Sequence, residues 1–280
     1  MKKIISFALV AIMLVAVMLS VTSCSKKVYI GVQSGTTGQY FVDGDVDWDF
    51  PGIDGYTSKG FSNAGLAVAD MKNGSFDYVI VDKAPAIQLE KTLDGIKVID
   101  IELTEEVYAF GVDKANSKLL SDINNNILAT KQTEIKAIID KYATGEGIVG
   151  VTSATKDLSK KDSQLVVATN AAFNPFEYKE GDKFYGIDIE IMKLVADELN
   201  MELVIEDMEF DAVVMSVGKN GIDVAAAALT VNETRKESVN FSTTYYNAAQ
   251  VLIVLEGNTD FDACESADDV IAQLKANLSK

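Results

Sequence analysis

The chain has 280 residues, of which 48% are hydrophobic and only three are proline; this excludes a disordered chain and suits two folded lobes or one large domain. Its formal net charge of −17 repels phosphate backbones and argues against nucleic acid as a partner. It contains no histidine, so the commonest general base and metal ligand are missing. Hydrolysis by a Ser-His or Cys-His pair is therefore excluded on this chain alone, and neither a cofactor nor a metal is expected.

In chain order, Lys2 and Lys3 precede an almost unbroken apolar run over residues 4–21, which closes on Val21-Thr22-Ser23 before Cys24. A positive start, an apolar run and a small-residue end read as a secretory signal. A spanning helix is the competing reading, because the run nearly reaches the roughly 20 residues that a bilayer needs. The Val-Thr-Ser-Cys ending resembles the lipobox of bacterial lipoproteins. This implies that residues 1–24 are a leader ending in the lipidated cysteine. Acylated Cys24 would then hold the mature chain in the lipid bilayer, on the extracytoplasmic face of the bacterial cell membrane. Cys264 remains as a lone thiol, so no intrachain disulfide is expected.

Short apolar, β-branched runs then alternate with helices. Val28–Gln33 and residues 77–82 and 96–101 read as buried strands, and Ala64–Lys72 as a short amphipathic helix closed by Asn73-Gly74. Residues 40–58, rich in Asp and Gly and carrying Trp48, read as a loop with little regular structure. Amphipathic helices follow over about residues 116–127 and 133–142. Residues 144–163 hold Gly, Ser, Thr and Lys with few large apolar side chains, which marks a linker. A second set begins with a strand at 165–169. Ile191, Met192, Val195, Ala196 and Leu199 then line one face of a helix with Asp188 as a plausible N-cap. Strands at 201–205 and 222–229 and a final helix at 267–278 complete the chain. Such runs between helices indicate parallel sheets with both faces covered.

Ligands in open parallel sheets bind beyond the carboxyl ends of the strands. Those ends offer Ser34-Gly35-Thr36-Thr37-Gly38, Asp82, Asn170 with Phe173, and Ala228, Thr230 and Arg235, with Phe210 following another strand. Each has an ordinary alternative: a turn, a helix cap, a surface cation, a core aromatic. Together they suit a zwitterion, which needs a planar bidentate cation, an anion, and apolar walls that strengthen both contacts by excluding water.

The runs Val167-Ala168-Thr169-Asn170-Ala171-Ala172-Phe173-Asn174-Pro175-Phe176-Glu177-Tyr178, Gly186-Ile187-Asp188, Glu209-Phe210-Asp211 and Leu229-Thr230-Val231-Asn232-Glu233-Thr234-Arg235 resemble one lobe of the family 3 (polar amino acid) solute-binding proteins of ABC transporters. Residues 31–38 and 73–82 resemble the other lobe. The resemblance implies an α/β, two-lobed periplasmic-binding-protein type II fold: two Rossmann-like lobes with a two-strand hinge. The lobe order is reversed, which implies a circular permutation. One lobe would comprise residues 27–107 with 257–280 and the other 112–145 with 164–251. Crossings would fall near 106–113 and 249–256, with 146–163 joining the ancestral ends.

By position, the resemblance implies that Arg235 pairs the α-carboxylate of a free amino acid, helped by Thr230, the Ala228 amide, Thr37 and the Ser34–Thr36 turn. Asp82 and the Ala228 carbonyl would take the ammonium, and Phe173 and Phe210 would sandwich the ligand. Asn170 stands where many relatives carry an acid that reads the side chain. Its amide speaks against lysine or arginine. Gln33 and Val81, where glutamine-binding relatives carry Lys and His, speak against glutamine. A neutral or polar amino acid is expected, handed by a monomer to an ABC transporter permease. A sensor protein or a dehydratase-like enzyme on the same scaffold are the alternatives.

Overall fold

The computed structural model describes residues 27–279. Cys24 and the apolar leader, with the readings attached to them, lie outside the described residues. The chain opens with β1 (Val28–Gln33), α1 (Thr37–Asp43), β2 (Tyr56–Phe61), α2 (Ala64–Lys72), β3 (Tyr78–Asp82), α3 (Lys83–Thr92) and β4 (Ile96–Ile99). β5 (Glu106–Tyr108) and β6 (Gly111–Asp113) lead to α4 (Ser117–Asp122), which continues as a π-helical stretch at Ile123–Leu128, and then to α5 (Gln132–Thr144). Next come β7 (Gln164–Thr169), β8 (Ala172–Phe173), β9 (Glu177–Glu180), β10 (Lys183–Tyr185), α6 (Ile187–Glu198), β11 (Glu202–Asp207) and α7 (Phe210–Ser216). β12 (Val224–Ala225), α8 (Glu233–Lys236), β13 (Val239–Phe241), β14 (Tyr246–Ala248), β15 (Gln250–Leu255) and α9 (Ala267–Asn277) follow.

The strands form two five-stranded sheets, ordered β2-β1-β3-β15-β4 and β11-β7-β12-β6-β13. Both follow one plan. In the first, β2, β1 and β3 run parallel and β15 lies antiparallel beside β3. In the second, β11, β7 and β12 run parallel and β6 lies antiparallel beside β12. The molecule is thus a two-lobed α/β protein. The antiparallel strand of each sheet enters from the other half, and the two crossings run side by side where β5 pairs with β14, Tyr108 opposite Tyr246.

Strict alternation explains why these runs become buried strands. Along β3, Val79 and Val81 enter one hydrophobic cluster while Tyr78 and Ile80 enter another on the opposite face. Along β7, Leu165 and Val167 face one cluster and Val166 and Ala168 another. A strand covered on both faces cannot carry polar side chains in its middle, so its polar residues collect at its ends.

Three local expectations are corrected, and one segment gains detail. Residues 40–58 are more regular than expected: α1 reaches Asp43, β2 starts at Tyr56, and Asp45 and Phe50 pair across a tight turn that carries Trp48. The strand expected at 222–229 shrinks to Val224–Ala225, because Ala228 takes a positive φ of 49° that ends the ladder. The segment expected as a linker packs on its neighbours, with Val151 paired to Phe184 and the Ala154 amide donating to Leu203 O at 2.8 Å. Asp188 is no cap: Gly186 occupies that position, and the Asp188 side chain is fully buried within the first turn of α6.

A candidate amino-acid site between the two sheets

The carboxyl ends of the two sheets face each other across a tight cavity of about 10 Å³, lined by Gln33, Thr36, Thr37, Asp82, Phe173, Phe210, Ala228, Thr230 and Arg235. That is room for about one water, so a ligand enters only as the two sheets move apart. Eight of the ten residues expected from the sequence line it. Asn170 lies one layer behind, and Ser34 lies outside it.

Arg235 is the only arginine of the chain. It stands on the short helix α8, which Asn232 caps by accepting from the Arg235 amide at 2.7 Å. Its guanidinium sits 5.4 Å from the Phe210 ring and 5.3 Å from the Trp48 ring, two aromatics brought from opposite halves. Nη1 donates to Thr230 O at 2.9 Å and Nη2 to Gly35 O at 3.1 Å, so the group spans the cleft. No carboxylate lies within ion-pair distance of it among the described residues, and burial lowers its proton affinity.

The turn after β1 meets the Asp211 side chain of α7. A Cβ on Gly35, whose φ is +73°, would lie 1.7 Å from Asp211 Oδ1, so only glycine fits this approach. Ser34 turns away toward Gly60, while Thr36 Oγ1 closes the turn by donating to Gln33 O at 2.8 Å. Thr37 Oγ1 donates across the cleft to Thr230 Oγ1 at 3.1 Å, and Thr230 donates onward to Glu106 Oε2 at 2.6 Å. Glu106, on the connecting ribbon, also accepts from Thr104 and Gln250. In this geometry both threonine hydroxyl protons are already committed. The Ala228 amide, expected to reach a ligand carboxylate, instead donates to Asp188 Oδ2 at 2.9 Å.

Asp82 ends β3 at the N-cap position of α3, yet its side chain makes no capping bond. It is 5% exposed, and its Oδ1 accepts the Tyr108 hydroxyl proton. Burial, and then the nearby Glu106 carboxylate, push its pKa up to about 7. Phe173 closes one wall, stacked on Phe176 with ring centroids 6.2 Å apart. Asn170 lies behind Gln33, accepting its Nε2 proton at 3.0 Å.

Gln33, Glu106, Tyr108 and Trp48 are the participants that the strand-end rule did not single out. Gln33 carried a readable signal, a polar residue closing an apolar strand. Glu106, Tyr108 and Trp48 lie on a crossing and a loop, where no periodicity points inward. Among the described residues no cluster of three or more His, Cys, Asp or Glu side chains could hold a metal ion, and no helix is long and apolar enough to cross a membrane.

Residues 165–279 match the family model of the bacterial extracellular solute-binding proteins, family 3. The arginine-binding extracellular protein ArtP of Bacillus subtilis is 32% identical over 104 residues, 37% of this chain and 40% of the relative. The probable amino-acid-binding protein YxeM of the same organism is 33% identical over 129 residues, 44% of this chain and 47% of the relative. The chain thus spans less than half the length of the curated relatives it matches. The solved arginine-bound form of domain 1 from TmArgBP aligns at 28% identity over 44% of this chain and 99% of that one, with a TM-score of 0.29. Over residues 165–279, this chain is thus similar to the bacterial extracellular solute-binding proteins, family 3.

Proposed function

We propose that this chain captures a free amino acid, neutral or polar in its side chain, in the cleft between its halves and delivers it to an ABC importer permease. It would do so from the outer face of the cell membrane, as a monomer held by acylated Cys24. One observation carries the reading: a single guanidinium from one half and a buried carboxylate from the other line one small cavity with two phenylalanines. A zwitterion supplies the carboxylate that Arg235 lacks and the cation that Asp82 lacks, and the dry walls strengthen both contacts. Thr37 and Thr230 can then turn their protons toward the ligand carboxylate. The ribbon of β5 and β14 serves as the hinge, and ligand shifts the equilibrium toward the closed arrangement.

We read the element order as a circular permutation of the family plan, with halves of 27–107 plus 257–280 and 112–145 plus 164–251. The family match supports it by starting at residue 165, directly after the 146–163 segment. The two ends of the described chain also lie close together: Leu278 packs against Gly55, beside Tyr56, which pairs with Val28.

A second reading, a cationic amino acid, draws on a wider cleft beside the cavity that is lined by Asp47, Glu102, Glu105, Glu106 and Glu233 and would attract positive ligands. Calorimetry with the twenty amino acids decides. The site reading expects binding by the wild type and about 100-fold or greater weakening in Arg235→Ala, with unchanged unliganded melting. Near-normal affinity in that variant would discard the site.

A further inference from the structure

Gln33 closes β1 on the cavity wall and is 2% exposed. The orientation of its amide is dictated by a main-chain group two steps away. Met208 O can only accept, so Asn170 must turn Nδ2 toward it, at 2.8 Å. Asn170 Oδ1 then faces Gln33, which must answer with Nε2, at 3.0 Å. Turning either amide over would set acceptor against acceptor or donor against donor. Gln33 Oε1 is thereby left as a fixed acceptor, and it is buried with no hydrogen-bond partner.

This bond joins the two halves, since Gln33 ends a strand of one sheet and Asn170 follows a strand of the other. Closing an empty cleft strands the Oε1 acceptor away from water, which is unfavourable. A ligand that brings a hydrogen-bond donor removes that cost. An apolar side chain leaves the acceptor orphaned, and a carboxylate opposes it with more acceptors. A second positive charge would need its own anion, and Asp82, the only carboxylate lining the cavity, faces the α-ammonium.

We propose that Gln33 Oε1 selects the ligand's side chain and that the ligand is an amino acid ending in an uncharged N–H or O–H donor, a carboxamide or a hydroxyl. This rests on the amino-acid reading of the cavity and names the substrate class. Calorimetry on the protein with glutamine, asparagine, serine and threonine, set against glutamate, aspartate, norvaline, lysine and arginine, tests it. The best donor ligand should bind about 10- to 100-fold tighter than its acidic or apolar counterpart. Gln33→Leu should bring donor and apolar ligands within a few-fold of each other, and Gln33→Glu should shift preference toward lysine and arginine. Wild-type binding that is tightest for an acidic, apolar or cationic ligand overturns the proposal. So does discrimination that survives Gln33→Leu unchanged. Binding of none of the amino acids overturns both the proposal and the reading beneath it.

Discussion

Asp82 and Asp188 make the same investment in the two halves and draw different returns. Each is buried near the start of a helix, accepts a tyrosine hydroxyl proton, and has its pKa pushed up to about 7 by burial. Asp188 is also met by the Ala228 amide, so both of its oxygens are held by the protein, one by that amide and one by Tyr245. Asp82 is met by Tyr108, by the Gln250 side chain and by its own amide, and it lines the cavity. Burial alone does not distinguish an acid that locks a turn from one that waits for a ligand. What distinguishes them here is that Asp82 lines the cavity and Asp188 does not.

The strongest test of that contrast is a pair of variants. Asp82→Asn should weaken ligand binding by about 100-fold or more while leaving unliganded stability nearly unchanged, because a neutral amide is easier to bury than a carboxylate. Asp188→Ala should do the reverse. It leaves the Ala228 amide without a partner and should lower unfolding stability by about 2–4 kcal/mol in denaturant titrations, with a far smaller effect on affinity. Equal binding losses in both variants would dissolve the distinction.

Acidity sharpens it next. Below about pH 7 Asp82 is protonated and must release that proton to meet an ammonium, so affinity should fall roughly tenfold per pH unit from 7 toward 5.5 and stay flat above 7. Unliganded stability should run the other way. Asp82, Asp188 and Glu177, the last buried with neither carboxyl oxygen partnered, hold protons when folded that the unfolded chain releases above about pH 4. Unfolding free energy therefore decreases as pH rises through about 4 to 7. Melting temperature and calorimetric affinity measured across that range should move in opposite directions; parallel trends would remove Asp82 from the ligand's contacts.

The smallest effect belongs to Trp48. Removing one of the two rings that flank Arg235 should cost about 0.5–2 kcal/mol, so Trp48→Ala should weaken binding about 3- to 30-fold. Its fluorescence should also change on ligand addition, since it is the only tryptophan in the chain. A silent signal with unchanged affinity would place the indole outside the site.

The sequence exposed the sheets because strands buried on both faces must be apolar throughout, as in Tyr78–Asp82 and Gln164–Thr169. It exposed Asp82 because charge at the end of such a strand stands out, and Arg235 because it closes a run that resembles a family motif. It hid what depends on a partner far along the chain. Asp188 looked like a cap because its tie to Ala228 spans 40 residues. Residues 222–229 looked like one strand because nothing in four successive alanines announces a positive φ at Ala228. Gln33 was read only as a departure from glutamine-binding relatives, because the direction of its amide is set by Asn170 and Met208 O, 137 residues or more away.

The paired crossings carry a mechanical consequence. Since Tyr108 and Tyr246 face each other on one rung of the ribbon, sliding one half past the other would tear the rungs, whereas rotation about the ribbon keeps them intact. The closed gap between guanidinium and carboxylate is then governed by a single angle. Under the proposed function, the protein would measure its cargo as calipers do, by how far one joint must swing before both jaws touch.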